Sequence, residues 1–112
     1  MSFSVKTLPR FERQLKKLVK KYPSFKQEYA DLVQLLKTDP IQGSPLGRDC
    51  YKIRLSISSK GKGKSGGARA IVNVVVLEKT VYLLLIYDKS EQSAISDKEL
   101  KELLKEVPGT KE

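Results

Sequence analysis

The residues best equipped for chemistry in this 112-residue chain are cations gathered between Arg48 and Arg69. That stretch holds Arg48, Lys52, Arg54, Lys60, Lys62, Lys64 and Arg69 against the single acid Asp49. Lys52 and Arg54 stand two apart in Y-K-I-R-L-S-I-S, where Tyr51, Ile53, Leu55 and Ile57 alternate with polar neighbours. A period of two predicts a strand with one buried face and both cations on the other. The strand leads into K-G-K-G-K-S-G-G, and Arg69 opens the next apolar run. Glycine between the lysines lets the backbone approach a nucleic-acid strand while Lys60, Lys62, Lys64 and Ser65 contact phosphates. Gly63-Lys64-Ser65 invites comparison with a nucleotide-binding phosphate loop, but Ser58 stands where the first glycine is required and a strand follows instead of a helix. Without a helix N-terminus the phosphate cradle is missing, so the stretch reads as a cationic hairpin loop.

Composition narrows the partners. The formal net charge is +9 and the sequence pI about 9.7, with a mean hydropathy of −0.38. A balance this basic favours nucleic acid over an anionic membrane surface. No apolar run reaches the roughly 18 residues that span a bilayer, and M-S-F-S-V-K lacks the apolar core of a signal peptide. The expectation is therefore a cytoplasmic protein with no membrane partner. The lone Cys50 offers no internal disulfide, which also suits a reducing compartment. With no histidine and one cysteine, His-based triads and ordinary zinc sites are excluded. Chemistry here falls to Lys, Arg, Glu, Asp, Tyr or Ser, with no metal and no small-molecule cofactor expected.

The elements that position these residues follow from periodicity. Phe3 and Val5 alternate in a short first strand. Pro9 suits a helix start, and Phe11, Leu15, Leu18, Val19 and Tyr22 form one stripe of an amphipathic helix. The opposite side carries Arg10, Arg13, Lys16, Lys17, Lys20 and Lys21. Pro23 ends it, and Ser24 can cap a second helix over about 24–38, giving a helical hairpin. Proline and glycine make the next ten or so residues a loop. Strands at about 50–58, 69–77 and 81–87 follow; the last two do not alternate and belong inside a sheet covered on both faces. Short links predict an antiparallel meander. Tyr87 shares strand parity with Val81, Leu83 and Leu85 and reads as a core or edge aromatic. Ser96 and Glu99 can form a capping box for a last helix over about 97–106. The expected fold is one α+β domain, 1–112, with a frayed tail from about 108. In it a small antiparallel sheet packs on an N-terminal helical hairpin and a C-terminal helix, in the order β-α-α-β-β-β-α.

This order, with Y-K-I-R-L, S-K-G-K-G-K-S-G-G-A-R and L-L-I-Y-D-K-S-E, resembles the RelE/ParE superfamily of toxins from type II toxin–antitoxin systems, and its RelE- and HigB-type members most closely. The resemblance covers most of the chain and is specific from about Leu46 to Glu91. It implies a ribonuclease that cuts mRNA, usually in the A site of the 70S ribosome, without a metal, and a cognate antitoxin that wraps and blocks it. The family's cationic catalytic positions fall here on Lys52, Arg54, Arg69 and Lys89. The chemistry is consistent with that placement. Attack by a ribose 2′-OH requires a base, charge stabilisation of a pentavalent phosphate and an acid for the leaving oxygen. Arg54 and Arg69 can grip a phosphate with paired N–H donors. Lys52, crowded by other cations, is a candidate base, Glu91 an alternative one, and Lys89 a group to neutralise the leaving oxygen. The chain departs from the family in two places: no tyrosine follows Tyr87, and Ile71-Val72-Asn73 stands where many relatives carry aromatics. A gyrase-inhibiting toxin of the ParE branch and a non-catalytic RNA-binding module are the competing readings.

Overall fold

A computed structural model describes residues 2–58, 66–92 and 94–108 of the chain. The elements are β1 (Ser4–Thr7), α1 (Pro9–Lys21), α2 (Phe25–Thr38), β2 (Ser44–Gly47), β3 (Cys50–Leu55), β4 (Ala68–Val75), β5 (Thr80–Asp88) and α3 (Asp97–Leu104). The strands form one mixed sheet in the order β1-β5-β4-β3-β2. β3, β4 and β5 make the antiparallel meander that their short links imply. β4 and β5 occupy interior positions, and every residue of β5 is buried. One face is covered by the hairpin, through Phe11, Leu18, Phe25, Leu32 and Leu36. The other carries α3, through Leu100 and Leu103. A strand with apolar cover on both sides has no reason to alternate.

Two parts of the sheet differ from the sequence expectation. β2 lies within the stretch read as a loop, and pairs antiparallel with β3 at the sheet edge. Pro45 is compatible with that place because an edge strand can spare one N–H from the ladder. β1 runs parallel to β5, not antiparallel, with Val5 opposite Val81 and Thr7 opposite Leu83. A four-residue strand pairing some 76 residues away leaves no local signature. Where β1 ends, α1 takes over the exposed edge of β5: the Leu8 N–H donates to Leu83 O at 3.1 Å and the Ile86 N–H to Gln14 Oε1 at 3.2 Å. This satisfies strand groups that would otherwise lie unpaired under a helix.

The helix ends show which capping signals operate. Pro9 does open α1. Ser24 stands at the N-cap of α2 in right-handed helical geometry and makes no side-chain capping bond. Ser96 does cap α3, its Oγ accepting from the Glu99 N–H at 3.1 Å. The box stays half-formed, because the Glu99 carboxylate is paired with Arg10 of α1 at 3.0 Å.

Two glycines mark close backbone approaches next to β3. A Cβ on Gly43, whose φ is +81°, would lie 2.1 Å from Lys52 O, and one on Gly67 would lie 2.0 Å from Leu55 O. Gly67 thus lets β4 begin flush against the end of β3. Gly67→Ala is expected to destabilise the protein by about 1–3 kcal/mol, the usual range for forcing extra atoms into a packed site. The shift of the urea midpoint at unchanged m value measures it.

Candidate active site

Strand register decides what meets on the α3 side of the sheet. Arg54 of β3 is opposite Arg69 of β4, and Arg69 is opposite Tyr87 of β5. One residue pair along, Lys52 is opposite Ile71, itself opposite Leu85. Directly opposed residues have Cβ atoms about 4.5–5.5 Å apart, and i, i+2 neighbours on a strand lie about 7 Å apart. Lys52, Arg54, Arg69 and Tyr87 therefore share one patch beside α3. Exposure falls across it: Arg54 is exposed, Lys52 half-buried, Arg69 only 4% exposed and Tyr87 5%. The Arg69 guanidinium donates to Ala68 O at 3.0 Å, which helps to fix it. Ile53, Leu55 and Ile57 face the hairpin core, with Tyr51 packed against it, as the alternation implies.

Tyr87 is a buried core aromatic, as the sequence suggests, but it lies on the opposite face from Val81 and Leu83. Between Ile71 and Val72 the register with β5 shifts, so that Ile71 faces Leu85 while Val72 faces Leu83. Leu84 is the extra residue, and Leu84 and Leu85 both join the cluster under α3. Val81 and Leu83 point to the hairpin, whereas Leu85 and Tyr87 point to α3. The bulge breaks the parity that would otherwise link all four. Doubled bulky residues in an all-apolar run carry no signal of where that break falls.

The turn after β5 is built on Asp88, which is 2% exposed and faces the hairpin. Its carboxylate accepts from Tyr22 Oη at 3.2 Å, Ser90 N at 2.9 Å and Ser90 Oγ at 2.8 Å. Its carbonyl accepts from Glu91 N at 2.9 Å and Gln92 N at 3.2 Å. Lys89 is exposed, and its N–H donates to Gly67 O at 3.0 Å, which sets it against the start of β4 two residues from Arg69. Glu91 is not brought to the arginine row. Its carboxylate lies 3.5 Å from Lys21 Nζ at the end of α1, beside a cavity of about 340 Å³ that Gln14, Lys17 and Asp88 help to line.

Of the loop residues, Lys60, Lys62, Lys64 and Ser65 lie outside the described residues. The root of the loop is pinned: Ser58 donates through N at 3.3 Å and through Oγ at 3.0 Å to the Glu28 carboxylate of α2. The other end of β3 is held as firmly. Arg48 and Asp49 both adopt positive φ, at 56° and 60°, in the two-residue turn from β2. Such a turn ordinarily takes Asn-Gly. Here the Asn73 amide donates to Arg48 O at 3.2 Å and Asp49 O at 3.3 Å, and Val74 N donates to Asp49 O at 2.9 Å. Cys50 sits beneath this turn, 1% exposed, and burial pushes its thiol up to about 11. At neutral pH it is a protonated, unreactive core residue. Among the described residues no cluster of His, Cys, Asp or Glu could hold a metal ion, and no helix is long and apolar enough to cross a membrane.

The fold has counterparts among known proteins. A family profile described as "RelE toxin of RelE / RelB toxin-antitoxin system" matches residues 11–110. The fold is similar to a mutant of E. coli toxin RelE in the free state, at a TM-score of 0.61 and 19% identity, covering 96% of this chain and 99% of that one. It is also similar to a chain of the intact E. coli RelBE toxin–antitoxin complex, at a TM-score of 0.58 and 22% identity over 77% of this chain and 95% of that one. A third match is to mutant E. coli RelE bound to a peptide of the antitoxin RelB, at a TM-score of 0.57 and 21% identity over 96% and 99% of the two chains.

Because Asp88 organises the turn that carries Lys89, removing its carboxylate leaves Tyr22 Oη and the Ser90 N–H without this acceptor. Asp88→Ala is expected to lower stability by about 2–3 kcal/mol, in line with lost hydrogen bonds to a buried charged group. Urea unfolding measures the loss, and faster hydrogen exchange at the Lys89 amide reports the loosened turn.

Proposed function

Since the chain belongs to the RelE toxin family, we propose that it is an endoribonuclease toxin that cuts mRNA in the ribosomal A site by metal-independent attack of the ribose 2′-OH. The observation that carries this reading is the cross-strand Arg54–Arg69 pair with Lys52 beside it, on the face the hairpin leaves free. Arg69, fixed and nearly buried, stabilises the charge that develops on the phosphate, and exposed Arg54 holds the phosphate from the solvent side. Lys52 is the proton acceptor for the 2′-OH. Lys89, presented by the Asp88 turn at the start of β4, neutralises the leaving oxygen. Glu91 as base has less support, since Lys21 engages it on the hairpin side.

A second cationic surface supports action on a large RNA assembly. Arg13, Lys16, Lys17 and Lys20 are exposed along α1, and among the described residues none of the four is in an ion pair. The hairpin lies on the opposite side of the sheet from the Arg54–Arg69 row, so this ridge suits phosphates of a structured RNA other than the strand being cut. The regulating partner is a cognate antitoxin, as in the RelE–RelB pairs to which the fold is similar. The site of action is the cytoplasm.

Induced without its antitoxin, the chain is expected to stop translation before DNA replication, with primer extension showing cut mRNA. Intact mRNA with damaged DNA would favour gyrase inhibition. In single-turnover assays on purified ribosome complexes, Arg69→Ala is expected to lower the saturated cleavage rate by about 10²–10³-fold, the usual loss for one transition-state charge contact. Arg69→Lys, which keeps charge but not the paired donors, falls between.

The loop lysines have a different part. Lys60, Lys62 and Lys64 alternate with glycine, which makes phosphate contacts easy and fixed catalytic geometry hard. Changing all three to alanine is expected to make the salt slope of log K for single-stranded RNA shallower by roughly 2, at about 0.7 per phosphate contact. The saturated cleavage rate changes far less than affinity. An unchanged slope with a collapsed rate would move the lysines into the catalytic step.

A further inference from the structure

The bulge at Leu84 turns Tyr87 away from the hairpin core and toward Arg69. Bulges commonly re-aim a side chain next to an active site. What the turned side chain presents is unusual. The Tyr87 hydroxyl is buried and has no hydrogen-bond partner, the one such side-chain polar atom found among the described residues. Buried hydroxyls without partners are costly, and one that a folded chain keeps calls for a reason, of which contact with a ligand is one. Two charged groups act on this phenol: the Arg69 guanidinium, its cross-strand neighbour, and the Glu99 carboxylate of α3. Burial holds the phenol above its ordinary range, Arg69 opposes that rise and Glu99 adds to it. The group is therefore a neutral O–H at physiological pH, a donor in search of an acceptor.

We propose that Tyr87 is a substrate-contacting residue whose hydroxyl donates a hydrogen bond to a non-bridging oxygen of the phosphodiester that Arg69 holds. This rests on the ribonuclease reading for the identity of the phosphodiester. Tyr87 lies on β5, two residues before Lys89, and so differs in place from the tyrosine that some relatives carry nearer the C-terminus. A neutral donor paired with a guanidinium suits a phosphate well: it adds direction without adding charge to an already cationic row. Among the described residues, Glu99 is the one acid that acts on the phenol. Its pair with Arg10 is part-exposed on both sides, at 28% and 39%, and pairs of that exposure hold weakly. An incoming phosphate repels the Glu99 carboxylate and attracts Arg10, which turns the acid away from the phenol.

The test is Tyr87→Phe, which removes one oxygen and little else. Thermal unfolding, binding of a 2′-O-methyl RNA strand that carries no free nucleophile, and single-turnover cleavage on ribosome complexes are measured side by side. Stability is expected to stay level or rise, because an unpartnered buried hydroxyl is gone. Affinity for the 2′-O-methyl strand is expected to fall about tenfold, the scale of one hydrogen bond to a charged group. The salt slope stays the same, because no cation is lost, in contrast to Arg69→Ala. Cleavage falls by at least the same factor. Unchanged affinity with unchanged cleavage would overturn the proposal, as would a clear loss of stability, which would show the hydroxyl to be part of the core. Failure of the wild-type protein to bind the 2′-O-methyl strand would overturn it too. If the wild type binds that strand but cuts no RNA, the ribonuclease reading fails while the binding arm still decides whether Tyr87 touches the phosphate.

Discussion

The β4–β5 ladder, with its shift at Leu84, is the constraint on which the rest of this structure depends. β4 alternates without interruption, sending Ala68, Ala70, Val72 and Val74 to the hairpin and Arg69, Ile71 and Asn73 to the α3 side. β5 matches it on both sides of the bulge only because one extra residue is absorbed there. Had β5 kept strict parity, Tyr87 would enter the hairpin core. Asp88 would then lose Tyr22 and turn toward the apolar floor under α3. A slip of one residue moves every side chain beyond it to the other face, so the bulge separates a polar patch from two apolar cores.

The same ladder explains how one cation of the row, Arg69, comes to be almost fully buried. Arg69 is flanked by Arg54 on one strand and Tyr87 on the other, and buried Asn73 closes the same face of β4 at the turn end. Two of the polar groups on this face are held by backbone: Arg69 on Ala68 O and Asn73 on the Arg48 and Asp49 carbonyls. Backbone partners do not swing as side chains do, so Arg69 and Asn73 are held in fixed positions. Ion pairs between α3 and the rest, the part-exposed Arg10–Glu99 and the exposed Arg48–Asp97, by contrast add little to stability. α3 is thus attached chiefly by Leu100 and Leu103, with Val107 just beyond its end.

Much of this was legible in the sequence, for reasons local to each segment. The alternation from Tyr51 to Ile57 placed Lys52 and Arg54 on one face, and unbroken apolar runs put β4 and β5 inside the sheet. Stripes at helical spacing marked α1 and α2, and Ser96 marked the start of α3. The cation density from Arg48 to Arg69 marked the strands on which Lys52, Arg54 and Arg69 share a face. These are statements about nearest neighbours and periodicity, and a chain carries them whatever it later packs against.

Other features were decided only by contacts between distant segments. β1 pairs parallel with β5, and β2 closes the far edge, because the sheet offered each a free ladder of N–H and C=O groups. Glu99 gave its carboxylate to Arg10 instead of completing a capping box, and Glu91 gave its own to Lys21, each drawn by a cation that folding brought near. Tyr87 came to stand opposite Arg69 because the register shift at Leu84 puts two successive leucines on the α3 side. Composition and periodicity determine which residues favour burial and which favour solvent. Which of them share a surface is set by register, and register is a property of the packed sheet.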